Sequence, residues 1–277
     1  MKDANRKFSI GVFDSGYGGL TILEKFREKL PEYNYVYLGD NARTPYGTRS
    51  FEVVYQYTLE CVQKLADMGC DLIILACNTA SAKALRSIQE NDLPVLFPNK
   101  RVLGVIRPTV EQVGNYTLSE HIGILGTEGT IQSESYTIEV NKLFPHIIVV
   151  PQACPMWVPL IENNEHEGNG ADYFVQKYLS ELLAKDNLID TIVLGCTHYP
   201  LLLNKIQQYL PSNIRILSQG EIVANSLQNY LFRHPEIESK LSKEGKCSFF
   251  TTESASKFTS SASIFLKKEV KAERILL

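Results

Sequence analysis

The sequence predicts an α/β fold built on mostly parallel sheets. Three observations carry that expectation. Short, almost wholly apolar runs recur along the chain, amphipathic helical patterns lie between them, and 277 residues suit one large α/β unit or two small ones. Runs this short and this apolar fit strands covered on both faces. Strands alternating with helices imply parallel pairing through right-handed crossovers.

The elements follow in order. A first strand is expected over Phe8 to Phe13, leading into the loop Asp14-Ser15-Gly16-Tyr17-Gly18-Gly19. A second, Tyr35 to Leu38, leads into Asp40-Asn41-Ala42-Arg43-Thr44-Pro45-Tyr46-Gly47, where Pro and Gly mark a loop. Val54, Thr58, Cys61, Leu65 and Met68 recur at spacings of three and four, the apolar stripe of a helix. Leu72 to Ala76 forms a third strand that ends in Cys77-Asn78-Thr79, and Val102 to Ile106 a fourth. Ile122 to Leu125 runs into Gly126-Thr127-Glu128-Gly129-Thr130 and is followed by Ile147 to Val150. Val175, Tyr178, Leu179 and Leu182 mark another helix, before Thr191 to Leu194 runs into Gly195-Cys196-Thr197-His198. The last strand expected is Ile214 to Leu217, and the remaining chain continues in βα pattern.

The two halves show weak self-similarity. A strand into Asp14-Ser15-Gly16 and a later one into Cys77-Asn78-Thr79 have counterparts in Thr127 and in Cys196-Thr197-His198 at similar separations. That pattern suggests two related lobes facing each other, although repeated βα units also produce short similarities by chance. A boundary is expected in the loop Asn91 to Lys100, which carries Pro94 and Pro98. The division is then residues 1–98 with 210–277 as the first α/β lobe, and 99–209 as the second. The sequence does not decide which lobe the C-terminal part completes.

Composition excludes several functions. Hydrophobic residues make up 44% of the chain, charged residues 21%, and the net charge is −3, so no basic field exists to attract nucleic acid. No stretch approaches the apolar length of a membrane span. The polar start MKDANRKFSI carries no signal-peptide core, so a cytoplasmic location with reduced thiols is expected. The cysteines are Cys61, Cys70, Cys77, Cys154, Cys196 and Cys247, with no CxxC pair and no zinc spacing, so no metal site is expected.

In an open parallel sheet, ligands sit beyond the carboxyl ends of the strands. Cys77 and Cys196 each end a strand and precede polar helix-capping residues. The positive end of a helix dipole is expected to lower the pKa of such a thiol. One strand-end cysteine alone is usually core; two in matching places point to paired titrating thiols. Cys61 lies on an apolar helix stripe, and Cys70, Cys154 and Cys247 lack the setting. The Asp14–Gly19 loop lacks the third glycine of a dinucleotide site, Thr21 standing there, and no Walker sequence occurs. It reads either as a tight turn or as a place where backbone N–H groups and Ser15 receive a small carboxylate, with Asp14 beside a thiol. His198, two residues after Cys196, is placed for acid/base work. His121, His146, His166 and His234 have no such context, and Trp157 and most tyrosines read as packing.

Together these segments resemble the glutamate racemases of the aspartate/glutamate racemase superfamily. The matching stretches are FDSGYGGLTIL, YLGDNARTPYG, ACNTAS, GVIRP, ILGTEGTIQSESY, ACPMWVPLIE and LGCTHYPLL, in that order across most of the chain. The cysteine motif alone would not separate them from aspartate or hydantoin racemases; the full set does. The resemblance implies two pseudo-symmetric lobes, each a mostly parallel sheet flanked by helices, with the active site in the cleft between them. It implies Cys77 and Cys196 as the catalytic thiols, assisted by Asp14 and His198. Asp14, Ser15, Pro45, Tyr46, Gly47, Asn78, Thr79, Thr130, Thr197 and His198 would bind substrate, with Asp40 and Glu162 as accessory acids. Arg107 departs from the family, which often carries Glu there, a change that bears on local electrostatics or regulation.

The implied activity is cofactor-independent interconversion of L- and D-glutamate, with D-glutamate supplied to peptidoglycan synthesis. One group removes the α-proton from one face and a second returns a proton to the other, so one thiol starts as thiolate. By resemblance, Cys77 serves D-glutamate and Cys196 serves L-glutamate. Neither pyridoxal phosphate nor metal is expected, and neither a nucleic-acid nor a membrane partner. A homodimer is compatible with the family, but the sequence does not fix the oligomeric state. The competing readings are a racemase of aspartate or a hydantoin, and a two-lobed binding protein without catalysis.

Overall fold

The computed structural model describes residues 8–277; the polar start Met1 to Lys7 lies outside the described residues. Two all-parallel sheets form the frame. The first contains β1 (Ser9–Asp14), β2 (Tyr35–Gly39), β3 (Cys70–Leu75), β4 (Arg101–Gly104), β9 (Cys247–Thr251) and β10 (Ala272–Arg274), ordered β10-β9-β2-β1-β3-β4. The second contains β5 (His121–Gly126), β6 (Ile148–Ala153), β7 (Thr191–Gly195) and β8 (Arg215–Leu217), ordered β6-β5-β7-β8. The order 2-1-3-4 therefore recurs as 6-5-7-8. Self-similarity that was ambiguous in sequence corresponds to one topology used twice, with β9 and β10 added at the edge of the first sheet.

Register matters most where the strands end. Phe13 lies opposite Leu75, and Gly126 opposite Gly195. The loop after each central strand thus emerges beside a strand-end cysteine. The central strands β1 and β3 are almost wholly buried, because helices cover both faces of the sheet. One of these helices, Phe51–Asp67, starts at Ser50, whose hydroxyl accepts from the Val53 N–H, and buries Val54, Thr58, Cys61, Val62 and Leu65. Gly69, at φ +86°, turns the chain from this helix into β3. A continuous core runs from Ile10, Val12 and Leu72 of the first sheet through Ala76 and Val105 to Leu125, Ile192 and Leu194 of the second. The lobes therefore share apolar packing as well as a cleft. The helix Gln219–Arg233 packs against both Gly19–Lys29 and Ile106–Val113.

Four expectations need correction. The prolines of Asn91 to Lys100 do not make the whole stretch a loop: a π-helical turn, Ile88–Asp92, passes into a helical turn, Leu93–Leu96, with Pro94 in its first positions. There the missing N–H costs nothing. The expected division after 98 and after 209 places two strands on the wrong side, since β4 hydrogen-bonds to β3 and β8 to β7. Strand pairing, invisible along the sequence, decides membership. Ile106 opens the helix Ile106–Val113 instead of closing β4, and Pro108 fits in its first turn. Finally, β6 continues through Pro151 to Ala153, which an edge strand tolerates. Among the described residues no helix is long and apolar enough to cross a membrane.

Candidate active site

The carboxyl ends of the two sheets meet around a cavity of about 70 Å³. Cys77 and Cys196 both line it, with Ser15, Pro45, Tyr46, Gly47, Asn78, Thr79, Thr197 and His198. Thr44, Thr48, Thr127, Glu128, Pro155, Val158 and Pro159 complete the wall. The sequence reading paired Thr127 with the Asp14 loop but did not count it among the substrate-binding residues; it follows β5 much as Ser15 follows β1. Thr130 stands behind the wall: its hydroxyl lies 3.3 Å from that of Thr79 and 3.1 Å from that of Thr127. With Thr79 and Thr127 also 2.9 Å apart, three hydroxyls tie the lobes together beside Cys77.

The glycine loop has a tertiary reason that the sequence did not disclose. A Cβ on Gly18 would lie 2.3 Å from Thr197 Oγ1 and 2.4 Å from His198 Nδ1. A Cβ on Gly16 would lie 2.8 Å from Glu162 Oε1. The first lobe presents bare backbone here because second-lobe side chains press onto it. Tyr37 holds the loop from below, its hydroxyl donating to the Gly16 carbonyl at 3.1 Å.

Cys77 is buried at the start of the helix Asn78–Lys83. Its sulfur accepts from the Ala80 N–H at 3.4 Å and lies 3.2 Å from Ser15 Oγ. The dipole argument expected a lowered pKa, and the structure reverses it. Burial, reinforced by the negative charge of Asp14, pushes the Cys77 thiol up to about 12, against the weaker pull of Ser15 and Ala80. Asp14 is itself buried. Desolvation raises its pKa, while His198 and the Gly16 N–H act the other way. One carboxyl oxygen accepts from the Gly16 N–H at 2.9 Å; the other has no hydrogen-bond partner among the described residues.

Cys196 stands in different company. His198 Nδ1 lies 3.8 Å from its sulfur, and His198 Nε2 lies 3.0 Å from Glu162 Oε1. Burial alone would lower the His198 pKa, but the bonds to Cys196 and Glu162 prevail and hold it well above the ordinary imidazole value. Glu162 is supplied by the helix Trp157–Glu162, anchored by Trp157, whose ring packs edge-on against Tyr199 at 4.7 Å.

The Asp/Glu/hydantoin racemase family model matches residues 20–227. A glutamate racemase from Ruegeria sp. (strain TM1040) is 37% identical over 275 residues, covering 96% of this chain and 99% of the relative. The chain belongs to the Asp/Glu/hydantoin racemase family. Its fold superposes on a glutamate racemase isoform from Bacillus anthracis with a TM-score of 0.88 at 36% identity, covering 98% of each chain. A glutamate racemase from Francisella tularensis, solved in complex with D-glutamate, gives a TM-score of 0.85 at 31% identity, over 99% of this chain and 97% of that one.

Within this family frame, the accessory acids separate. Glu162 reaches the site through His198. Asp40 is fully buried and is not itself part of the cavity wall: it accepts from the Tyr46 hydroxyl, from Arg43 Nε at 2.6 Å and from the Thr252 hydroxyl at 2.8 Å. Its carboxylate is committed to fixing the loop that carries Tyr46. Arg107 is also spoken for, paired with Glu111 at 3.0 Å and Glu139 at 2.8 Å, and is not part of the cavity wall. Asn78 is held by Gln219 and Tyr136, neither of which the sequence marked. Among the described residues no cluster of three His, Cys, Asp or Glu side chains could hold a metal ion.

Proposed function

We propose that this chain interconverts L- and D-glutamate by two-base proton transfer at the α-carbon, with Cys77 and Cys196 on opposite faces. One observation carries the proposal: two thiols, each ending the equivalent strand of a repeated topology, line one cavity. The glutamate racemase relatives support glutamate as the substrate, and the Francisella structure in complex with D-glutamate supports binding of that enantiomer.

With L-glutamate bound, Cys196 as thiolate takes the α-proton while Cys77 as thiol delivers one to the far face. The raised Cys77 pKa suits a resting proton donor. A protonated His198, 3.8 Å from Cys196 Sγ, places positive charge where the other sulfur must be negative. From D-glutamate the roles reverse: Cys77 removes the proton, assisted by Asp14, and Cys196 returns one. Hydroxyl and amide donors of Ser15, Asn78, Thr79 and Thr197 are proposed to hold the carboxylates and the developing negative charge. Proton exchange between two side chains requires neither pyridoxal phosphate nor a metal. We assign the product to peptidoglycan synthesis and the enzyme to the cytoplasm.

The decisive measurement is the optical rotation of L-glutamate incubated with purified protein and no added cofactor. Decay of rotation to zero, with little change on aspartate, is expected. Faster decay on aspartate would move the chain to an aspartate-specific racemase.

A further inference from the structure

Gln219, the first residue of the helix Gln219–Arg233, carries a side chain buried at the junction of the lobes. It is not itself part of the cavity wall. Yet it is surrounded by polar partners from three other elements: Asn78 behind Cys77, Thr109 in the helix between the lobes, and Tyr136 in the helix Ser135–Leu143.

The orientation of these amides follows from one backbone carbonyl. Thr109 Oγ1 donates its only hydrogen to the Val105 carbonyl at 2.7 Å, so it can only accept from another neighbour. The Gln219 atom 2.9 Å from Thr109 Oγ1 and 3.4 Å from the Val105 oxygen faces two acceptors and must be the amide nitrogen. That nitrogen also donates to the Tyr136 hydroxyl at 2.8 Å. Gln219 Oε1 is thereby turned toward Asn78 and accepts from Asn78 Nδ2 at 2.6 Å. The Tyr136 hydroxyl donates to Asn78 Oδ1 at 2.7 Å, and Gln219 Nε2 lies 3.2 Å from the same oxygen. Both sides of the Asn78 amide are thus specified. Its oxygen is committed to the interior, and one of its two N–H groups goes to Gln219. The second N–H has no acceptor among the described residues, and Asn78 lines the cavity.

We infer that Gln219 is a positioning residue that locks the Asn78 amide with its N–H, and never its oxygen, toward the substrate cavity, where it donates to a carboxylate of the bound amino acid. This rests on the proposed binding of glutamate in the cavity. A free Asn amide can present either end, and the oxygen would repel a carboxylate. The lock converts an ambivalent side chain into an anion-selective one. It is assembled from both lobes and the helix Gln219–Arg233, so it forms only when the lobes are seated as in this structure.

The test uses steady-state racemisation by the full chain with Gln219→Met, Asn78→Ala and the double variant. Gln219→Met should raise KM for glutamate about tenfold with kcat changed less than about threefold, the weight of one charge-assisted hydrogen bond. In the Asn78→Ala background, the same change should move KM less than about twofold, because the amide it orients is gone. An unchanged KM in Gln219→Met, or an equal rise in both backgrounds, overturns the positioning role. An unchanged KM in Asn78→Ala removes the donor itself and overturns both this role and the proposed carboxylate contact. If Gln219→Met does not fold, Thr109→Val serves instead. It removes the hydroxyl that sets the orientation, and the same KM rise, absent from the Asn78→Ala background, is expected.

Discussion

The turn after β3 and the turn after β7 occupy equivalent places in a repeated topology, and each presents a cysteine to one cavity. Their surroundings are opposite in character. Cys77 caps its own helix, shares a contact with the neutral hydroxyl of Ser15 and sits beside a buried acid, Asp14. Cys196 sits beside an imidazole that is backed by a carboxylate, His198 and Glu162. Topology repeats positions, while the few side chains around each position give the two sulfurs different partners. In the proposed mechanism two identical thiols then start as unlike partners, one taking the α-proton from one face and the other delivering a different proton to the opposite face.

The strongest way to break this comparison is to remove either sulfur. Cys77→Ala and Cys196→Ala should each lower racemisation by roughly three to four orders of magnitude, since one face then lacks an acid/base group. Each remaining thiol should still exchange the α-hydrogen on its own side. In D₂O, Cys77→Ala should label L-glutamate without inverting it, and Cys196→Ala should label D-glutamate. NMR reads the label and chiral chromatography the hand. Labelling of the opposite enantiomers would reverse the face assignment, and near-normal racemisation by either variant would end the two-base mechanism.

Smaller changes sharpen the comparison. His198→Asn and Asp14→Asn should each cost about 10²-fold in kcat/KM. That loss must be equal in the two directions, because enantiomers have equal free energy and the equilibrium constant is unity. The asymmetry between the turns therefore has to be read by exchange in the single-thiol proteins. His198→Asn should suppress labelling of L-glutamate by Cys77→Ala, and Asp14→Asn should leave that labelling within a few-fold. Equal suppression by both would mean that the two turns act as one electrostatic unit.

The mildest effect concerns pH. A group with a raised folded-state pKa keeps its proton to higher pH. Cys77, pushed up to about 12, should therefore still be a thiol where an ordinary cysteine, near about 8.5, has lost its proton. With L-glutamate as substrate, kcat should show no alkaline fall through the ordinary thiol range. A fall centred near that ordinary value would show that substrate binding resets the environment of Cys77. The same sign applies to stability: the contribution of a neutral, buried Cys77 is present below the unfolded-state value and lost as pH rises toward the folded-state one.

Much of the molecule was legible in the chain itself. The strands β1, β2, β3, β5 and β7 announce themselves because a parallel strand buried on both faces must be apolar throughout. Cys77 and Cys196 were visible because each ends such a strand ahead of capping residues. β10, the three-residue edge strand Ala272–Arg274, has no apolar run to betray it, and its pairing with β9 is a fact of topology. Only the tertiary structure could decide that Gly16 and Gly18 are bare because Glu162, Thr197 and His198 lie against them. Only it could decide that Asp40 serves a loop and that Gln219 reaches Asn78. It also set the proton affinity of Cys77. A sequence shows a helix N-terminus and its favourable dipole, but desolvation depends on everything packed around the sulfur, and at Cys77 burial outweighs the hydrogen bonds from Ser15 and the Ala80 N–H. Local pattern is set by neighbours along the chain, whereas burial, charge and amide orientation are set by neighbours brought together from both lobes.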